Sequence, residues 1–85
     1  MDVERLSPVS RDLLRQALPG GQLVNVLYRE GARIETGFER ERRCFALGER
    51  GWLSFIGWEG RPADGADCLS RWRLTPRAQS LLAKG

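Results

Sequence analysis

Apolar residues recur at helical spacing near the start of the chain, at Val9, Leu13, Leu14, Ala17 and Leu18, with Arg11, Asp12, Arg15 and Gln16 mostly opposite. That stripe predicts an amphipathic helix over residues 8–18. Ser7-Pro8 opens it, because the Ser hydroxyl accepts from a free backbone N–H and Pro at the first helical position loses no bond. Pro19-Gly20-Gly21 closes it. Residues 1–6 form a polar start expected to fray. The next segment, 22–30, carries two signals: Val24, Val26 and Tyr28 favour a strand, whereas Leu23, Val26, Leu27 and a stop at Gly31 favour a short helix. We read it as a helix. Residues 32–36 alternate around the β-branched Ile34 and predict a short strand that pairs with a later hairpin.

Residues 37–50 are rich in charge and in helix formers, and Gly51 is placed as their left-handed stop. Cys44 and Leu47 should form the buried side of that helix, with Phe38 and Phe45 on a neighbouring flank and Arg40 and Arg43 reaching solvent. A strand follows over 52–58, with Leu53, Phe55 and Gly57 on one face and Trp52, Ser54, Ile56 and Trp58 on the other. Residues 59–67, with Gly60, Pro62 and Gly65, form a loop. The chain returns as a strand over 69–74 that sets Arg71 and Arg73 on one face and Trp72 and Leu74 on the opposite one. Thr75-Pro76 repeats the cap chemistry of Ser7-Pro8 and opens a last helix with Ala78, Leu81 and Leu82 on its apolar side. The pattern is that of an α+β domain in which helices pack on a β-hairpin, with a short third strand. Eighty-five residues hold one such core and not two.

Charge adds a direction. From Leu69 onward the chain has Arg71, Arg73, Arg77 and Lys84 and no acid, so the last fifth supplies the positive excess behind the net charge of +3. Histidine is absent, which removes imidazole from acid–base catalysis and from metal ligation. No paired carboxylates lie in apolar surroundings, and the glycines do not form a phosphate cradle leading into a helix. Asp64 and Asp67 read as turn residues. We therefore expect no enzyme, no cofactor and no metal. Cys44 and Cys68 lack the spacing of a redox or zinc motif and have no apolar leader before them, which suggests reduced thiols in a cytoplasmic protein, Cys44 packing as a small hydrophobe. No stretch approaches the roughly twenty apolar residues of a membrane span.

Leu47-Gly-Glu-Arg-Gly-Trp-Leu, followed by Trp72-Arg-Leu-Thr-Pro-Arg-Ala-Gln-Ser-Leu-Leu82, resembles the second half of bacterial winged-helix domains of the MarR and PadR kind, in a shortened form. The likeness covers residues 43–82. It implies binding to double-stranded DNA in transcriptional or phage-type regulation, with residues 37–50 as the recognition helix, 52–74 as the wing and Thr75-Pro76 as the cap of the last helix.

Five arginines are the candidate DNA contacts. Arg40, Arg42 and Arg43 can reach phosphates or base edges, or else be neutralised by Glu35, Glu39 and Glu41 on a charge-laced face. Arg71 and Arg73 have no acid close in sequence; they either contact DNA or keep an edge strand from aggregating. Trp58 and Ile56 are the candidate contacts for a protein partner or homodimer, against the alternative that Trp58 packs across the hairpin onto Trp72. The function expected is non-enzymatic DNA binding. The alternative is a small interaction module or inhibitor that docks through the Trp-rich hairpin.

Overall fold

A computed structural model describes residues 6–18 and 20–84. Helix α1 (Pro8–Arg15) leads to the hairpin β1 (Gln22–Arg29) and β2 (Ala32–Arg33), followed by α2 (Glu35–Glu49), β3 (Leu53–Glu59), a short 3₁₀ turn (Pro62–Asp64), β4 (Cys68–Leu74) and α3 (Pro76–Ala83). The four strands form one antiparallel sheet in the order β2-β1-β4-β3. The described residues thus form an α+β domain of three α-helices and a four-stranded antiparallel sheet.

Both Pro-led caps form as expected. Ser7 accepts from the Ser10 N–H at 3.1 Å, and Thr75 accepts from the Ala78 N–H at 3.2 Å. Thr75 also donates to the carbonyl of Gly51 at 2.7 Å, which ties the start of α3 to the end of α2. Gly51 is left-handed, with φ 85°, and ends α2. The Trp52 N–H then bonds back to the Leu47 carbonyl.

The expected helix over 22–30 is a strand. Leu23, Asn25 and Leu27 are buried, whereas Gln22 and Val24 are exposed and Val26 is half-buried. A run of backbone partners with β4, from Gln22 opposite Arg73 to Tyr28 opposite Cys68, outweighs the local helical signal. Gly31 is no helix stop. Glu30 and Gly31 both have positive φ, 51° and 83°, and join β1 to β2 as a two-residue hairpin turn. For the same reason β2 pairs with β1 and not with the later hairpin.

That later hairpin does form, but as half of the sheet: β4 lies between β1 and β3. A bulge at Ile56 shifts the register between Phe55 and Gly57. Trp58 is thereby carried to the side that bears Phe55, opposite Ser70, and not to the Ser54 side expected from strict alternation.

All three helices cover the same face of the sheet. Leu13, Leu14 and Ala17 of the α1 region, Cys44 and Leu47 of α2, and Ala78 and Leu82 of α3 share one cluster with Leu23, Leu53, Trp72 and Leu74. Leu6, read as part of a frayed start, is 5% exposed and belongs to that core; residues 1–5 and Pro19 lie outside the described residues. Val9 and Leu18, expected on the buried stripe of α1, are exposed. Gly37 sits where α2 crosses β1, with no room for a side chain beneath the carbonyl of Val26. No helix among the described residues is long and apolar enough to cross a membrane.

Candidate interaction surface

The buried stripe of α2 is Gly37, Glu41, Cys44 and Leu47, and Glu41 was not expected there. Its carboxylate oxygen Oε1 accepts from Asn25 Nδ2 at 2.8 Å, from Trp72 Nε1 at 3.0 Å and from the Ser70 hydroxyl. The Asn25 amide also reaches Cys44 Sγ at 3.5 Å, and burial pushes the Cys44 thiol up. One helix and two strands are therefore joined through a single oxygen atom. Asn25, Glu41, Ser70 and Trp72 are each at most 5% exposed, so this is a structural tie that no substrate reaches.

Above that tie, aromatic rings run outward to the surface. Trp72 is buried and packs edge-on against Phe45 of α2 and Phe55 of β3, with ring centroids 5.0 Å away in each case. Phe45 and Phe55 stack at 6.4 Å, and Phe55 meets Trp58 at 4.8 Å. The outer rings are not covered: Phe55 is 38% exposed, Phe45 48% and Trp58 62%, with Ile56 beside them at 42%. A groove of about 360 Å³ runs between α2 and β3, floored by Trp72 and walled by Phe45, Phe55 and Glu49. Because β3 is the last strand of the sheet among the described residues, this row lies along the sheet edge. Isolated exposed apolar side chains are ordinary; a contiguous exposed aromatic row is not, which makes this row the candidate surface.

No family model, curated protein or solved structure matches this chain. The surface must therefore be read from its own chemistry.

The five candidate arginines fall on two separate layers. Arg71 and Arg73 alternate with the buried Ser70, Trp72 and Leu74, so they project from the sheet face that the helices leave open. Gln22 and Val24 of β1 and Ser54 of β3 share that face by register. Arg40, Arg42 and Arg43 sit on α2, on the opposite side. Arg40 is half-buried and donates to Gln16 Oε1 at 3.0 Å, in a shallow groove between α1 and α2 that Arg43 also lines. Arg42 and Arg43 are exposed. Helix and hairpin arginines do not converge.

Arg71, expected to lack an acidic neighbour, has one across the hairpin. Its Nε and Nη2 donate to the two carboxylate oxygens of Glu59 at 2.9 and 3.2 Å. That hydrogen bond first, and the guanidinium charge second, hold the Glu59 carboxyl below the usual carboxylate range. Because the folded-state value is the lower one, the pair's contribution is present above the unfolded carboxylate range and is lost as pH falls through the lowered value. Both side chains stand in solvent, so that contribution is small. In Arg71→Ala, the Glu59 titration followed by NMR should move up to the ordinary range; an unchanged titration would refute the pair. Arg73 makes no ion pair among the described residues.

Trp58 and Ile56 are both exposed. Phe45 and Phe55 are exposed in the same row, which the sequence pattern does not single out. Their signal was present but indirect: two aromatics, on the helix and strand that flank the same turn, in a chain with one core to fill.

Proposed function

We propose that this domain is a non-enzymatic interaction module that docks through the aromatic row of α2 and β3. The observation that carries this reading is the continuous packing of Phe45, Phe55 and Trp58, each more than one third exposed, onto the buried Trp72. Rings held against one another in this way lose little conformational freedom on binding and present the kind of anchor that dominates protein interfaces. A photo-crosslinking residue at position 58 should give a discrete adduct in cells that make the protein. The adduct should vanish when Phe45→Glu and Phe55→Glu are added, and a crosslinker at the exposed Val9 should not give it. Equal labelling from positions 9 and 58 would overturn the reading.

A second reading, contact with double-stranded DNA in the manner of a shortened winged-helix regulator, is favoured by Arg73. It stands without an ion pair on the uncovered sheet face, next in register to Gln22 and Ser54. Residues 43–82 also keep the order of helix, hairpin and capped helix that carried the resemblance. Here a mixed-sequence duplex should bind at about 50 mM salt, and Arg73→Ala should reduce the salt slope by about one. Absence of binding under those conditions sinks this second reading.

A further inference from the structure

Resting on the interaction-module reading, we infer that the partner of the aromatic row is a second copy of this chain, related by a two-fold axis that passes α2 at Phe45 and Ala46. The argument is one of symmetry. A two-fold interface brings a patch against itself, so the patch must be its own complement. On α2, Arg42, Phe45 and Glu49 are three and four residues apart and share one stripe. The two charges are opposite in sign and flank the ring nearly evenly. An antiparallel copy of α2 placed across an axis at Phe45 and Ala46 therefore sets Arg42 of one protomer beside Glu49 of the other, twice. Neither residue has an ion-pair partner among the described residues.

The area is sufficient. From the exposures of Phe45, Phe55, Ile56 and Trp58, and roughly 150–250 Å² for a large apolar or aromatic side chain, these four supply about 400 Å² per copy. Two copies bury about 800 Å² from them alone, and the flanking charged residues bring the total to about 1,000 Å², the lower bound of a specific interface. The bulge at Ile56 interrupts the outer edge of β3, so the join is made by side chains and needs no continuous ladder. A different protein would require no such mirrored placement of Arg42 and Glu49.

Sedimentation equilibrium of the full chain from about 1 μM to about 1 mM tests this. A monomer–dimer equilibrium is expected. Phe45→Asp should weaken it at least about thirtyfold. Glu49→Arg and Arg42→Glu should each weaken it about tenfold, and the double charge reversal should restore it. Circular dichroism will show these surface variants folded. A monomer throughout, a dimer indifferent to Phe45→Asp, or single reversals that the double variant does not rescue would each overturn the inference. If the chain stays monomeric while position 58 still crosslinks to a different protein, the second-copy inference fails and the interaction-module reading stands.

Discussion

Glu41→Ala is expected to lower the unfolding free energy by about 3–5 kcal/mol, measured by urea denaturation at neutral pH. The loss exceeds that of an ordinary surface glutamate because the carboxylate is 5% exposed and three donors converge on it. Removing it leaves the Asn25 amide, the Ser70 hydroxyl and the Trp72 indole N–H buried without an acceptor, each at a cost of about 1–3 kcal/mol before the site relaxes. Glu41→Gln keeps an oxygen where Oε1 stands and should cost less, about 1–2 kcal/mol. Since small domains hold only about 5–15 kcal/mol in all, the alanine variant should be close to unfolding. Should Glu41→Ala cost under about 1 kcal/mol, the carboxylate is not what fastens α2 to the sheet.

Gly37→Ala should be comparably damaging, for a steric reason. A Cβ at position 37 would collide with the carbonyl oxygen of Val26, and backbone cannot swing aside as a side chain can. Alanine favours a helix over glycine by about 1 kcal/mol, so local propensity pushes the other way. The collision wins, because relieving it means lifting the first turns of α2 from β1 and loosening the contacts made by Glu41 and Cys44. A loss of about 3 kcal/mol or more is expected, read as a fall in Tm of about 12–24 °C. Gly20→Ala, where an added Cβ meets nothing within 4 Å, serves as the control and should move Tm little. A Gly37→Ala variant as stable as the parent would mean that α2 does not lie on β1 as described.

The elements that read correctly in sequence were those whose signals are local. Ser7-Pro8 and Thr75-Pro76 cap their helices, Gly51 stops α2, and Arg71 and Arg73 share a face opposite Trp72 and Leu74. What failed needed partners distant in the chain. Residues 22–30 contain enough leucine to pass for a helix, and only pairing with β4, forty or more residues later, makes them a central strand. The polar Asn25 between Leu23 and Leu27 also hid the inward-facing alternation, since a buried amide is tolerated only with the carboxylate of Glu41 opposite. Glu41 is legible in part: it lies three residues before Cys44 on the same helical stripe, although a carboxylate is not ordinarily a core residue. The bulge at Ile56 leaves no sequence mark beyond Gly57, and it decides which face Trp58 joins.

Trp58 also provides the most direct measurement. Of the three tryptophans, Trp52 and Trp72 are each 3% exposed and Trp58 is 62% exposed. In dilute protein, acrylamide should therefore quench one red-shifted component of the emission, and Trp58→Phe should abolish that component while the two protected, blue-shifted indoles remain. If the quenchable emission survives Trp58→Phe, the edge of β3 does not present its rings to a partner, and the proposed docking surface does not exist.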